Sequence, residues 1–327
     1  MPTTIDLSAA WRMLRTRDDL YAEGCTERDI HARVASGDLH RVRRGRYIEA
    51  TGWKNLWSEG QHLVQVVAVH ENSDAPGPVF WGPSAAVLHR LPLFRLAPTH
   101  VHAAILGERH GRSRAKVVWH NVRIADEDIV EVDGIRCTSL DQTVLDLACS
   151  TPSITGLSAA DAALRREAVL GHEHDSEAAA EWHARLGRRA ESVSVRGIRK
   201  ARDVIAFADG RAQLPGESVS RLHLRELGFR DLSLQTHVVG PDGEDYWLDF
   251  GFPRSKVFGE FDGEAKYLDP ALRKGRTLDE ILLTEKRRED AIRGVTGWRT
   301  ARWGWEHVRT PEVLAARLLA FGVRPPG

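Results

Sequence analysis

Two short apolar runs that carry carboxylates constrain the fold of this chain more than any other feature of its sequence. The runs at residues 247–252 and 256–266 predict adjacent β-strands. Each run has acidic side chains at positions where an ordinary strand face would carry Val or Thr. The sheet that contains these strands must therefore offset the repulsion between the carboxylates.

Strand alternation predicts where each acid points, because successive side chains lie on opposite faces of a strand. The expected apolar faces consist of Leu248, Phe250 and Phe252 on the first strand, and of Val257, Gly259 and Phe261 on the second. Asp249 is expected to point away from the first face, and Glu260 and Asp262 to lie together opposite the second. Three acids that converge repel one another unless a cation lies among them, and such hard oxygen ligands suit Mg²⁺ or Mn²⁺. The pattern suggests metal-assisted phosphodiester hydrolysis.

Composition limits the class of protein. The chain has 327 residues, enough for two or three domains, and its 42% hydrophobic and 28% charged residues are typical of a soluble globular protein. Lys and Arg number 46, as do Asp and Glu, so any surface that binds a polyanion must be local. The three scattered cysteines argue against zinc and disulfides and predict a cytoplasmic protein. Neither a signal peptide nor an apolar run of about 18 residues is present, so no membrane partner is expected.

The first 55 residues predict helices followed by a basic hairpin. Residues Thr26–Asp29 form a capping-box pattern that opens a helix, and Gly37 ends it. A strand-turn-strand pattern follows at residues 39–48, with Gly45 at the turn. Its basic side chains are Arg41, Arg43, Arg44 and Arg46. This is the outline of a winged helix-turn-helix, which would place the arginines on DNA phosphates, although a packing domain with a solvated hairpin has the same outline.

The middle of the chain predicts scaffold. Residues 56–150 have mixed helix and strand patterns, including a hairpin at residues 130–137 with a two-residue turn at Asp133–Gly134. Residues 151–211 are rich in Ala, Arg and Glu, which favours a helical connector with solvated charged faces. No set of residues in either segment has catalytic spacing.

The last segment, residues 212–327, has the predicted order helix, strand, strand with Asp249, strand with Glu260, helix, strand, helix. A Pro-Gly-Glu opening places Glu217 in the first turn of the first helix. The predicted fold class is α/β multidomain. It comprises a winged helix-turn-helix at 1–55, a mixed α/β domain at 56–150, the helical connector at 151–211, and an α/β core with a mixed sheet flanked by helices at 212–327.

This last segment resembles the PD-(D/E)xK nuclease superfamily over roughly residues 212–322, and within it the very-short-patch-repair-like endonuclease domains. The resemblance rests on the element order and on Glu260–Lys266, and it extends to Glu217, Gln235 and the basic run at 285–290. It implies a restriction-endonuclease-like core that hydrolyses nucleic acid, with Mg²⁺ as the cofactor and Mn²⁺ as a substitute.

The resemblance and the chemistry of phosphodiester hydrolysis together imply roles for individual residues. A metal ion neutralises the phosphate and lowers the pKa of a bound water, so carboxylate ligands are needed. The candidate metal ligands are Asp249 and Glu260, supported by Asp262 and Glu217. Lys266 would orient the water or stabilise transition-state charge, and Arg287 and Arg288 would hold the DNA backbone.

The sequence leaves the register of the site open. An acid-x-Lys spacing occurs at Glu264–Lys266, whereas the strand itself carries Glu260 and Asp262. We favour the second pair, because it falls on a predicted strand face beside Asp249. The superfamily pattern has a proline before this aspartate, and here that position is Leu248. A solvated acidic edge strand would have a similar appearance.

The front of the chain resembles bacterial type IV (AbiEi-like) antitoxins. The resemblance rests on residues 24–30 and 37–47, and on the stretches 84–91 and 138–148 in an antitoxin-like domain that follows. It implies promoter binding, repression and a cognate toxin partner.

Two functions therefore compete. The first is a Mg²⁺-dependent endonuclease that hydrolyses DNA, in defence or repair, with RNA as an alternative substrate. The second is a non-enzymatic antitoxin or transcriptional repressor whose nuclease-like domain has lost activity, since a fold does not determine a function. The Arg–Trp pairs at residues 298–299 and 302–303 are interpreted as packing contacts rather than base-stacking elements.

Overall fold

The computed structural model describes residues 3–106, 116–263 and 277–326, and this part of the chain is a mixed α/β protein with 13 helices and four sheets. The predicted α/β class is confirmed at this level. Contacts divide the chain into two compact units. Unit 1 comprises residues 1–159 and 185–206, and unit 2 comprises residues 160–184 and 207–327.

Unit 1 begins with short helices around a three-stranded sheet of order β1-β3-β2. These elements are α1 (Leu7–Met13), β1 (Arg15–Thr16), α2 (Arg17–Ala22), α3 (Glu27–Ser36), β2 (Leu39–Arg43), β3 (Arg46–Glu49) and α4 (Ala50–Lys54). The predicted capping box of α3 is confirmed, because Thr26 Oγ1 accepts the Asp29 N–H at 3.2 Å and Asp29 accepts the Thr26 N–H at 2.8 Å. The left-handed Gly37 ends α3, as predicted, and the hairpin turns at Gly45.

The second part of unit 1 is a five-stranded sheet of order β6-β5-β4-β8-β7, accompanied by three helices. The elements are α5 (Ser58–Glu71), β4 (Val79–Phe80), α6 (Pro83–Leu88), β5 (Val101–Ala104), β6 (Val117–His120), β7 (Ile129–Val132), β8 (Ile135–Thr138) and α7 (Leu140–Ser150). The hairpin predicted around Asp133 and Gly134 is confirmed, and both residues have the positive φ that a two-residue turn requires.

The segment predicted to be a helical connector is helical, and its residues are divided between the two units. It contains α8 (Ser153–Ala168), a short hairpin of β9 (Val169–Leu170) and β10 (Glu173–His174), α9 (Ser176–Ser192) and α10 (Ile198–Phe207). Within the described ranges, no helix combines the length and the apolar character needed to cross a membrane.

Unit 2 is built on a four-stranded sheet of order β11-β12-β13-β14, in which β14 runs parallel to β13 and the other pairs are antiparallel. Its elements are α11 (Pro215–Glu226), β11 (Ser233–Val239), β12 (Asp245–Phe252), β13 (Val257–Phe261), α12 (Leu278–Thr296), β14 (Arg299–Trp303) and α13 (Pro311–Leu319). The predicted order of these elements and the mixed sheet are confirmed.

Each face of this sheet has its own apolar layer. On one face, Phe250 contacts Trp303, whose indole N–H donates to Ser220 of α11 at 2.8 Å. On the other face, Leu248 packs with Phe258 and with Ile292 of α12. The expectation that Leu248 and Phe250 share a face is therefore wrong.

The physical reason is an interruption of strand alternation at Asp249. The ladder pairs Leu234 with Phe250 and Thr236 with Leu248, so Gln235 lies opposite Asp249. Gln235 has a φ of 46°, a left-handed conformation that is uncommon for a residue other than glycine. Such a residue turns its strand locally, and the regular two-residue alternation does not continue through it.

A buried ion pair holds α11 against α8 within unit 2. Arg221 donates to Asp161 at 2.8 Å and to the carbonyl oxygen of Phe207 at 2.7 Å, and the two charged side chains are only 5% and 1% exposed. Arg221 follows Glu217 by one helical turn on the same face of α11. The ion pair therefore fixes the orientation of the helix face that carries Glu217.

We predict that Asp161→Asn destabilises the protein by about 3 kcal/mol in urea denaturation, because it leaves the guanidinium of Arg221 buried without its counter-ion. The matched control is Asp290→Asn, which breaks an exposed ion pair with Arg293 and should change stability little. Equal losses in the two variants would contradict the structural role of the buried pair.

Candidate functional site

Glu217 is a buried carboxylate in the first turn of α11, with 4% of its surface exposed. Its helix approaches β13 closely at Gly216, where an added Cβ would lie 2.1 Å from the ring of Phe261. Glu217 Oε2 accepts the backbone N–H of Gln213 at 2.9 Å and the side-chain amide of Gln235 at 3.4 Å. The absence of a side chain at Gly216 thus lets the helix bring Glu217 to the sheet.

Asp249 lies where the ladder between β12 and β13 ends. The last regular pair is Phe250 with Gly259, and beyond it Asp249 Oδ2 accepts the N–H of Phe261 at 2.8 Å. The side chain of Gln235 also lies close enough to Asp249 to lower the pKa of its carboxyl group. Gln235, a predicted member of the site, therefore joins Asp249 to Glu217.

Both carboxyl groups have raised pKa values. Burial is the main cause for Glu217, and the nearby Asp249 carboxylate raises its pKa further. Burial also raises the pKa of Asp249, while the Phe261 N–H lowers it and Glu260 raises it. Two buried like charges in this arrangement favour the binding of a proton or a metal cation. The structure thus brings together Glu217, Asp249 and Gln235, as the sequence predicted.

Glu260 has a different environment, although it is close enough to influence the pKa of Asp249. Its carboxylate, 15% exposed, forms ion pairs with Arg288 of α12 and with Arg302 of β14, the latter at 3.3 Å. Arg288 also donates to the carbonyl oxygen of Trp247 at 2.6 Å. Of the two arginines predicted to hold DNA, Arg288 is half-buried and engaged within the protein, whereas Arg287 is exposed.

Arg302 is the centre of an acidic cluster that the sequence interpretation missed. Its further carboxylate partners are Asp262 at 3.9 Å, Glu285 at 3.1 Å and Glu289 at 3.9 Å. Arg302 lies in β14 between the buried Ala301 and Trp303, and the parallel register places it beside Glu260. This position is the feature that could have indicated its role. Trp303 is buried, so the interpretation of this Arg–Trp pair as packing is confirmed.

Two of the predicted site residues lie a few positions after the end of β13 in the sequence. Glu264 and Lys266, predicted as an alternative acid and as the catalytic lysine, lie outside the described residues. Of the strand pair preferred from sequence, Glu260 and Asp262 both contact Arg302, as expected for side chains on one face.

The four arginines of the basic hairpin in unit 1 differ in their exposure. Arg41 and Arg44 are exposed, and Arg43 is half-buried. Arg46 donates to the carbonyl oxygen of Glu71 at 3.1 Å and pairs with its carboxylate at 3.3 Å. Arg41 and Arg44 are thus the exposed members of this predicted DNA-binding set.

The carboxylates of the candidate site are of the ligand type that Mg²⁺ prefers. Among the residues the structure describes, no group of three or more His, Cys, Asp or Glu side chains is arranged to hold a metal ion. Mg²⁺ is commonly held by one or two carboxylates while it retains several waters. Glu217 and Asp249 could supply these two oxygen ligands, and Glu260 could join them only by leaving its arginine partners.

The chain is similar to two known proteins over part of its length. No family model matches the chain. Two uncharacterized proteins of Mycobacterium tuberculosis, from strains CDC 1551 and H37Rv, are each 31% identical to it over 140 residues. The match covers 43% of this chain and 48% of each relative, so the chain spans about half the length of the curated relatives it matches.

We predict that Glu217→Gln stabilises the metal-free protein at pH 8, by roughly 1–3 kcal/mol, and has little effect at pH 4. A carboxyl whose pKa is raised on folding contributes stability below its unfolded pKa and loses that contribution as pH rises through the folded value. The glutamine mimics the protonated form at every pH. Thermal unfolding in EDTA measures the difference, with the exposed Glu181→Gln as control. A stabilisation that is independent of pH would contradict the assignment.

Proposed function

We propose that this chain is a Mg²⁺-dependent endonuclease that hydrolyses phosphodiester bonds of DNA, with a winged-helix front end that binds DNA. The observation that carries the proposal is the pair of buried, mutually repelling carboxylates Glu217 and Asp249. They lie on α11 and β12 of an α/β unit with a mixed sheet. Carboxylates with raised pKa values that share an environment are typical of functional sites.

The chemistry of phosphodiester hydrolysis suits this pair. In the proposal, Glu217 and Asp249 hold the metal ion through their carboxylate oxygens, and Gln235, which donates to Glu217 and lies close to Asp249, orients the pair. A bound Mg²⁺ would neutralise the anionic phosphate and lower the pKa of a water nucleophile. The element order supports the same proposal, since it matches the PD-(D/E)xK resemblance from helix with Glu217 to strand with Glu260. In that scheme Lys266 would follow the site directly in sequence.

We predict that the full chain nicks supercoiled DNA in the presence of Mg²⁺ or Mn²⁺ and that Asp249→Asn reduces the rate at least about 100-fold, because it removes a ligand charge. Conversion of supercoiled to nicked plasmid on agarose gels measures the rate. RNA of similar length is tested in parallel. Cleavage of the RNA while the DNA stays intact would indicate that RNA is the substrate.

The matched control for this experiment is Asp245→Asn, an exposed aspartate at the start of the same strand that pairs with His237. It should retain the wild-type rate. The nuclease proposal fails if wild type and Asp249→Asn leave both nucleic acids equally intact in Mg²⁺ and Mn²⁺.

The second candidate is a non-enzymatic antitoxin or transcriptional repressor with a toxin partner. The ion pairs of Glu260 with Arg288 and Arg302 favour it, because protein cations already neutralise a carboxylate that the nuclease scheme would use as a ligand. The basic hairpin with exposed Arg41 and Arg44 suits both candidates, since a winged helix uses such side chains on phosphates.

For either candidate, we predict that Arg41→Gln and Arg44→Gln each weaken duplex DNA binding and lower the slope of log K against log salt by about 0.9, the value for one lost phosphate contact. Fluorescence anisotropy with a duplex at several salt concentrations in EDTA gives the slope. Arg188→Gln removes an exposed arginine of α9 and serves as the charge control. Slopes that match this control would exclude the hairpin as a phosphate-binding element.

A further inference from the structure

Unit 2 has an arginine-rich cavity of about 310 Å³ that includes neither Glu217 nor Asp249 in its lining. It lies between α11 and β11 and the segments that flank them. The cationic and aromatic side chains of its lining are Phe207, Arg211, Arg221, Arg225, Phe229 and Arg230, and Leu232 and Leu234 complete an apolar wall. One carboxylate, that of Asp209, also lines the cavity, where it pairs with Arg211.

Two of these arginines are neutralised within the protein and two are not. Arg221 pairs with Asp161, and Arg211 pairs with Asp209 at 2.8 Å. Arg225 instead lies over the Phe207 ring at 4.6 Å, and Arg230 donates to the carbonyl oxygen of Arg225 at 3.3 Å. No carboxylate of the described ranges forms an ion pair with Arg225 or Arg230. The cavity therefore presents two uncompensated guanidinium groups beside an apolar wall.

The position of the cavity relates it to the carboxylate pair. Arg225 follows Glu217 by eight residues on α11, which corresponds to about 12 Å along the helix axis. Leu234 in the cavity wall precedes Gln235, the residue that contacts Glu217. Arg225 and Glu217 thus lie along the same helix. Their separation corresponds to roughly two nucleotides of an extended strand.

The basic lining continues beyond this cavity. A neighbouring cavity of about 260 Å³ shares Phe229 and Arg230 with it and is also lined by Arg254 and Arg324. Arg254 pairs with Asp231 at 3.3 Å, so the shared Arg230 remains the link between the two cavities. Guanidinium groups spread over two adjoining cavities suit a polyanion better than a single small anion.

We propose that the cavity between α11 and β11 is a subsite that binds a backbone phosphate of a single nucleic-acid strand. Arg225 and Arg230 bind the phosphate, and the wall of Phe229, Leu232 and Leu234 receives the adjoining sugar or base. The proposal rests on the proposed nuclease function in one respect, namely that the subsite positions the strand relative to Glu217. Binding itself requires neither a metal ion nor hydrolysis.

The test measures binding of an eight-nucleotide single-stranded DNA to the full chain in EDTA, by fluorescence anisotropy at a series of salt concentrations. Such a strand is too short and too flexible to present a major groove to the front end of the protein. Arg225→Gln and Arg230→Gln should each weaken binding severalfold at low salt and lower the salt slope by about 0.7, the value for one phosphate of a single strand. Arg293→Gln, an exposed arginine of α12, is the control for loss of charge.

Two variants keep the test decisive, because Arg225 packs on Phe207 whereas Arg230 is exposed and can be replaced without loss of packing. Wild-type slopes in Arg230→Gln and Arg225→Gln would overturn the proposal. Competition by inorganic phosphate or by a nucleoside monophosphate separates the sources of phosphate. The proposal requires both competitors to be much weaker than the oligonucleotide, and equal competition would overturn the strand subsite.

This test and the nicking experiment can fail independently. If plasmid is nicked but the arginine variants bind the short strand like wild type, the subsite is wrong and the nuclease proposal remains. If the arginine variants lose binding but no nucleic acid is cleaved, the subsite remains and the hydrolytic function is wrong.

Discussion

The burial of two carboxylates beside each other, Glu217 and Asp249, is the constraint on which the organisation of unit 2 depends. Burial and mutual repulsion both favour the uncharged form of each group, so the fold must supply interactions that keep them there. Gly216 allows the helix to approach the sheet, and Gln235 donates to Glu217 and lies close to Asp249. The buried pair of Asp161 and Arg221 holds the same helix one turn further on. A site maintained against its own electrostatics in this way is typical of a binding or catalytic function.

The acids of this unit fall into two electrostatic groups. Glu217 and Asp249 are stabilised by amide hydrogen bonds and have raised pKa values. Glu260, by contrast, is paired with Arg288 and Arg302, so its charge is already compensated. The first group would gain from a bound cation, because its carboxylates repel each other. The second group links β13, β14 and α12. This division explains how one sheet can contain so many carboxylates.

Elements with strong local signals were predictable from the sequence, including the capping box before α3, the turn at Asp133–Gly134 and the order of elements in unit 2. The grouping of Glu217 with Asp249 was implied by the resemblance to the PD-(D/E)xK superfamily. The interruption of strand alternation at Asp249 was not predictable, because it depends on the positive φ of Gln235. The sequence around Gln235 contains no glycine or turn motif that would indicate this conformation. The partners of Arg302 were missed for a related reason, since long-range ion pairs depend on sheet register and helix placement rather than on spacing in the chain.

The most direct test of the central claim is the calorimetry of Mg²⁺ binding at pH 7 in two buffers that differ in their ionisation enthalpy. If Glu217 and Asp249 form a cation site with raised pKa values, Mg²⁺ must displace protons from them. The account predicts that the observed heat differs between the two buffers and that this difference shrinks in Glu217→Gln. Binding heat that is the same in both buffers, or no Mg²⁺ binding by the wild-type protein, would contradict it.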